Sequence, residues 1–483
     1  MIKTNVINSG KQNISNSFTA RAGLLGMARI TQVSITFFIF WLYAVELDKN
    51  WYGIYQKVFV IAGLSSSLLS LGLPVLIGSL PVSMARSLTS AIFKNNLKIY
   101  LLAFGALVIF IMASLPFLPL ATRILLVFLS VINAVYTVVE MTVIKLGKDT
   151  RVFFSNMLYS FLFFAIHLGV LYRTPFSISL LVLLLSLLSL LRLGWLFFRN
   201  VFRVTSTEQA GVDILRVYHR QWIYLSLNET LENFSKHIDK IFLLWLLSAS
   251  AFAIYFNGAY EIPLLSILVS VSGTFLTVQA KQQEMDNAGI LSLFYKSSLL
   301  LSIVLFPLFF FLQLNAHVIF DVLFRGKYNA SVPVFLISSW IIPLRIANYT
   351  AILQTKLKSE LIFRGSIIGL AVKIIACILF YSFWNANGVA MAVVVGTLVQ
   401  ISFYLVHSAD ALQVKPADIL PFNKLAFCFV TCAIISVLVK WAVMTLDTTS
   451  QIISGMLCMI VLATGFYFVR KYASGPVETG STK

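Results

Sequence analysis

The chain has 483 residues, of which 59% are apolar and only 11% charged. A soluble domain runs about 45–50% apolar and about 25% charged, and with a mean hydropathy of +0.90 no water-soluble fold of this length could hide so much hydrocarbon. Apolar stretches recur from residue 22 to residue 470, which also excludes a single-pass anchor, so the chain reads as an all-α polytopic membrane protein.

Lys and Arg number 36 against 18 acids, a formal net charge of +18. In a soluble protein such an excess would suggest nucleic acid. Here most of the cations fall in short loops, where membrane topology and anionic lipid explain them, and no nucleic acid is expected. The four cysteines, Cys377, Cys428, Cys432 and Cys458, all lie in apolar stretches and indicate neither disulfides nor a metal site. No signal peptide is evident, because the first 20 residues are polar and the stretch after them is too long for a signal sequence.

At roughly 20 apolar residues per crossing, the sequence divides into fourteen spans: 22–45, 53–79, 97–120, 123–145, 150–172, 175–198, 221–248, 251–277, 293–314, 332–354, 363–384, 386–407, 422–445 and 451–470. Runs such as Ser179 to Leu191 lack the alternation of a β-barrel strand. Alternate loops, counted from the N-terminus, carry 23 Lys and Arg residues against five in the opposite set. That asymmetry places both termini in the cytoplasm, and an even number of spans agrees. The longest polar connections are the N-terminal tail and residues 199–220 and 278–292. None has room for a catalytic module, and no Gly-rich phosphate loop occurs, so neither an intrinsic ATPase nor an enzyme is expected. No cofactor is indicated.

Span 1 carries Arg29, Gln32 and Thr36 on one face. An Arg near a helix end often snorkels, yet Arg29 lies about two turns inside, so a functional role stands beside that reading. Lys57 in span 2 and Glu261 in span 8 are near counterparts in a weak internal repeat, in which Gly53-Ile54-Tyr55 and Ala253-Ile254-Tyr255 are offset by 200 residues. The two residues pair with each other, or Lys57 binds substrate. His167 in span 5 reads as a helix-to-helix hydrogen bonder before a proton relay, whereas Arg192 and Lys440 read as side chains reaching an interface. Arg345 and Lys373, deep in spans 10 and 11, have no acid nearby in sequence; they imply distant pairing or a cavity that attracts anions.

Span 7 is the most informative. Glu229, Glu232, Asn233, Lys236, His237, Asp239 and Lys240 fall within an arc of about 160° at 100° per residue, with Leu231, Phe234, Ile238 and Ile241 opposite. Each charge at the bilayer centre costs about 2.5–3.5 kcal/mol on the insertion scale, so this face must meet water or protein. It lies flat at the interface, lines a cavity, or pairs its charges internally. The loop parity requires a crossing here, which favours the cavity. Glu229, Glu232, Asp239 and Glu261 are then the candidate coupling acids.

Four segments carry a family resemblance. Tyr52-Gly53-Ile54-Tyr55 leads to Ser70-Leu71-Gly72-Leu73, and Asp239 with Ile241-x-Leu243 is followed by Ile254-Tyr255 and Ala259-Tyr260. Leu323-Phe324, Gly326, Tyr328 and Ala330 come next, then Asn387-Gly388-Val389-Ala390-Met391-Ala392. In this order they resemble the signatures of Wzx-type polysaccharide (O-antigen) flippases of the multidrug/oligosaccharidyl-lipid/polysaccharide (MOP) superfamily. The resemblance implies two six-helix lobes forming a V, 1–198 and 221–410, joined by a cytoplasmic linker at 199–220, with accessory helices and tail in 411–483. It implies alternating access for a polyprenyl-pyrophosphate-linked oligosaccharide, carried from the cytoplasmic to the periplasmic leaflet of a bacterial inner membrane. Proton or sodium coupling, membrane lipids and the polysaccharide polymerase machinery come with it as partners. Arg29, Lys57, Lys236 and Lys240 occupy the helices that line the cationic cavity of such flippases, and Arg345 and Lys373 add to the substrate-binding set. The acids on span 7 depart from a purely cationic cavity. The alternative is a multidrug or organic-cation antiporter of the same fold.

Overall fold

The computed structural model describes residues 2–79, 97–200, 212–260 and 262–473. Side chains are described over 23–78, 97–198, 227–260 and 262–466, apart from 263, 264, 281 and 448. Every regular element among the described residues is helical. The contacts gather the chain into two compact units, Met1–Ser250 and Ala251–Lys483.

The first unit contains α1 (Ile2–Glu46), α2 (Lys49–Ser70), α3 (Leu73–Ser79), α4 (Leu97–Ser114), α5 (Leu120–Lys145), α6 (Asp149–Leu171), α7 (Ile178–Asn200) and α8 (Val212–Leu246). Helix α1 starts twenty residues before the expected first span. Asp48 starts α2 by accepting the Asn50 and Trp51 amides, the usual service of a side-chain oxygen to a helix's unpaired N–H groups. The second span is interrupted. Leu71 and Gly72 both adopt positive φ, 44° and 65°, which ends α2 and lets α3 begin.

The second unit contains α9 (Ala249–Gly258, beginning at the unit boundary), α10 (Pro263–Gln282), α11 (Asn287–Phe324), α12 (Val332–Ser338), α13 (Ile341–Leu344), α14 (Ala351–Thr355), α15 (Ser359–Leu412), α16 (Phe422–Val443) and α17 (Thr448–Ala473). The eighth span is also broken, between α9 and α10. The tenth, expected as one crossing over 332–354, is three short helices. Pro343, which has no amide to donate, lies in the middle one. Asn348 then uses its side chain to bond the Thr350 amide and hydroxyl, holding a turn before α14. Helix α11, 38 residues long, overruns its expected span at both ends.

Spans 11 and 12 are the two arms of α15. Trp384 and Asn385 leave helical geometry, Asn385 with φ 49°, and the chain doubles back. Glycines make the arms close-packed: a Cβ at Gly365 would strike Tyr404, one at Gly369 would strike Gln400, and one at Gly396 would strike Lys373. These pairs run in antiparallel register, and Gly365 and Gly369 supply the small-residue spacing that lets membrane helices approach closely. Helices α16 and α17 pack against α11, where Gly455 rests on Asn315 and Phe311.

Each expected span therefore meets helix. Nine helices among the described residues are individually long and apolar enough to cross a membrane. The others are broken or carry the charges that make them functional candidates. This is a multi-pass membrane protein.

Candidate functional site

Helix α8, the polar seventh span, packs on α2 and α3 within the first unit. Two contacts fix its register. Asn233 Nδ2 donates to Ser67 Oγ at 2.6 Å, and Lys57 Nζ donates to the carbonyls of Leu244 and Leu247 at 2.9 and 2.7 Å. As the number rises along α2 it falls along α8, so the helices are antiparallel. The last carbonyls of a helix lack partners within it and carry its negative dipole end. Lys57, only 5% exposed, is thus spent as the cap of α8. Gly53 completes the joint, because a Cβ there would overlap the backbone carbonyl of Ala249.

The charged face of α8 separates into three parts. Asp239 and Lys240 are buried, and Lys240 Nζ donates to Asp239 Oδ2 at 3.0 Å. Glu229 is half-buried, its Oε2 has no hydrogen-bond partner among the described residues, and Glu232 is its charged neighbour. Lys236 is exposed and makes no hydrogen bond or ion pair among the described residues. Arg29 on α1 is likewise exposed and uncommitted. Its neighbours along the helix face, Gln32 and Thr36, line a cavity of about 240 Å³ inside the first unit, bounded by α1, α2, α5, α6 and α7.

Arg345 and Lys373 lie in the second unit. Arg345 Nη1 donates to Ser266 Oγ at 2.8 Å. Lys373 is buried where the arms of α15 meet at Gly396. Glu261 lies outside the described residues. The six expected cations are thus distributed as Arg29, Lys57, Lys236 and Lys240 in the first unit and Arg345 and Lys373 in the second.

Sequence reasoning passed over one cluster. Arg192, expected to reach an interface, is instead held between the rings of Tyr136 and Tyr159, 3.7 and 4.1 Å from their centroids. Its Nη2 donates to Asn156 Oδ1 at 2.5 Å, and Asn156 Nδ2 donates to Glu140 Oε1 at 2.7 Å. Tyr136 donates to the same Asn156 oxygen at 2.6 Å. An amide thus bridges a cation and a carboxylate on three successive helices, α5, α6 and α7. The available signal was a lone acid in span 4 and a lone cation in span 6. Lys440 is also turned inward, donating to Asn315 Oδ1 and Gln451 Oε1 at 3.1 and 2.9 Å. His167 joins helices as expected: its Nε2 meets Tyr55 Oη at 3.3 Å, and Tyr43 donates to its backbone carbonyl.

The comparisons bear on fold. No protein-family model and no curated protein matches the sequence. Among solved structures, the chain is similar to the lipid II flippase MurJ in an inward closed conformation, with a TM-score of 0.66 and 13% identity over 93% of this chain and 99% of that one. It is similar also to a multidrug resistance MATE family transporter of the MOP superfamily. In the inward-facing conformation the TM-score is 0.57, at 14% identity over 79% of this chain and 94% of that one. In an outward-facing conformation it is 0.50, at 13% identity over 81% and 93%. The chain has the fold of MOP-superfamily transporters, and these structural neighbours are transporters, not enzymes.

Proposed function

We propose that the protein is a flippase for a polyprenyl-pyrophosphate-linked oligosaccharide, of the Wzx type, working by alternating access in a bacterial inner membrane with both termini cytoplasmic. The observation that carries this reading is a pair of uncommitted cations, Arg29 and Lys236, on α1 and α8. Exposed, and unpaired among the described residues, they are available to hold a pyrophosphate; the guanidinium takes phosphate oxygens two at a time and the ammonium serves as a point charge. Lys57 and Lys240 are engaged within the protein, so their part in the anion site is to position α8 and to balance Asp239. Arg345 and Lys373 are proposed as further substrate-binding cations within the second unit. The likeness to MurJ over nearly all of both chains supports the reading at the level of fold.

Alternating access is supported by a fold seen in inward-facing, inward closed and outward-facing forms in its neighbours. Substrate must bind one state more tightly than another for the equilibrium to shift. Glu229, with Glu232 beside it, is the acid placed to take up and release a proton, while Asp239 is already paired and Glu261 is a further candidate. The division into six-helix lobes 1–198 and 221–410, a linker at 199–220 and accessory helices in 411–483 belongs to this proposal, as do a polymerase partner and a periplasmic destination.

The test is a flippase assay in liposomes with labelled lipid-linked sugar, using Arg29→Ala and Lys236→Ala at matched protein density. Both should lose most of their transport. Unchanged transport in both removes the anion site. A second reading, a multidrug antiporter of the same fold, is favoured by the half-buried acid Glu229 and by the MATE-like neighbours. Knockout cells that gain sensitivity to cationic drugs while displaying normal glycan would put it first.

A further inference from the structure

The cavity inside the first unit differs in kind from the charged faces of α1 and α8. No charged side chain lines it. Its walls are leucine, isoleucine and valine on α5 and α7, with the rings of Tyr55, Phe59, Tyr159 and Phe163 facing in from α2 and α6. Its threonine and serine hydroxyls are satisfied locally: Thr36 donates to the Gln32 carbonyl, Ser66 to Ala62 and Ser160 to Asn156. Two carboxamides are not. The side chains of Gln32, from α1, and Asn133, from α5, line the space and make no hydrogen bond among the described residues. Each brings one acceptor and two N–H donors. Both side chains are half-buried and open to the space, so a ligand or water in the cavity can meet their donors and acceptors.

From this we infer that the cavity is a binding site for one uncharged pyranose ring of the carried glycan, with Gln32 and Asn133 bonding its hydroxyl or N-acetyl groups and the tyrosine and phenylalanine rings packing on its C–H faces. Three features select that class. The absence of a lining charge gives no counter-ion to a uronic acid or an amine. Pairs of donors and acceptors on one amide match a hydroxyl, which is itself both. The volume of about 240 Å³ lies just under the roughly 300–1,000 Å³ of ordinary small-molecule clefts, the scale of a single ring and not of a chain. A few placed polar groups among apolar and aromatic walls are the usual makeup of a small-molecule site. Arg192 stacks on Tyr159 and bonds Asn156 but is not among the residues that line the cavity, so the lining is neutral.

This inference rests on the glycan-carrier reading, and its test separates the two. The full chain in lipid nanodiscs is examined by saturation-transfer NMR with free N-acetylglucosamine, galactose, rhamnose and glucuronate. At least one neutral sugar should take up saturation, and glucuronate should not. Asn133→Leu and Gln32→Leu should each weaken binding by about tenfold. Gly63→Phe should abolish it: Gly63 lines the cavity, and a Cβ there meets nothing within 4 Å, so the backbone leaves room for a large side chain that competes for the space. Its thermal melting, kept within a few degrees, confirms that the fold is retained. Saturation of no neutral sugar means that the cavity holds water alone and overturns the inference. So does binding that persists in Gly63→Phe, or equal binding of glucuronate. Gly63-sensitive binding of a neutral sugar together with no flipping of lipid-linked sugar in liposomes would uphold the site and remove the carrier reading.

Discussion

Replacing Lys57 with methionine tests whether a membrane cation is a cap or a substrate ligand. Methionine keeps the length and apolar stem of the side chain and removes only the ammonium. In the structure that ammonium donates to two carbonyls at the end of α8, at 2.9 and 2.7 Å. Hydrogen bonds to a charged group contribute about 1.5–3 kcal/mol each, so the two bonds amount to about 3–6 kcal/mol. Removing a 5%-exposed ammonium returns part of this, because a buried charge carries a desolvation penalty of several kcal/mol. The net loss is then about 2–3 kcal/mol. For a unit of 250 residues, 1 kcal/mol moves Tm by about 2–4 °C, so Lys57→Met should melt about 4–12 °C lower. The assay is fluorescence-detected thermal unfolding in detergent, paired with flipping in liposomes below the melting range. A variant that melts with the parent protein but no longer flips substrate would refute the cap and return Lys57 to the binding site.

Gly53→Ala should abolish stable expression or cost at least about 3 kcal/mol, since its Cβ meets backbone at Ala249, whereas Gly63→Ala, with open space around it, should gain roughly 0.5–1 kcal/mol of helix stability; paired melting curves check the opposite signs. Arg192→Leu should cost about 1–3 kcal/mol by removing a charged partner from Asn156 and Glu140, and adding Glu140→Gln should recover part of that, which a double-mutant cycle of Tm values measures. Glu229→Gln should melt at or above the parent temperature, because Oε2 has no partner to lose, while substrate flipping falls at least tenfold; a lower Tm or unchanged flipping would contradict the coupling role.

The number and polarity of the helices were legible because hydrophobic length is a property of single segments. A run of 20 apolar residues declares itself whatever it packs against. Apart from His167, expected as a helix-to-helix hydrogen bonder, what the sequence concealed were the contacts that depend on a second helix. Arg192 lies near the end of its span, where a long side chain commonly reaches outward. The rings of Tyr136 and Tyr159 and the amide of Asn156 become its surroundings only once α5, α6 and α7 are assembled. Lys57 was weighed against Glu261, which lies outside the described residues; two partners of Lys57 that the structure does describe are backbone carbonyls nearly 190 residues away, and carbonyls leave no mark in a sequence. Breaks were legible in part. Pro343 and the Leu71-Gly72 pair are visible punctuation, while the reversal at Trp384 and Asn385 is announced only by the glycines that allow its arms to meet.

The signature segments teach a related point about where conservation-like patterns in such a fold reside. Gly53 admits the Ala249 carbonyl, Tyr52 and Tyr55 are almost wholly buried, and Tyr255 on α9 is buried to the same degree. Gly258 meets Ser331 and Val334, and Gly388 meets the Phe380 carbonyl. Each is a place where backbones approach closely or a large ring fills the core. The residues carrying the family likeness therefore hold helices together, and a likeness built on them speaks for fold and leaves the cargo open. Charges divide by the same criterion. Lys57, Lys240, Arg192 and Lys440 are spent on carbonyls, a carboxylate, aromatic faces and amides within the protein. Arg29 and Lys236 are exposed and bond to nothing among the described residues. In an apolar solvent an idle cation costs stability without return unless something else binds it, so cargo chemistry is to be sought at these two residues, with the uncharged cavity beside Gln32 supplying the contact that a phosphate site cannot.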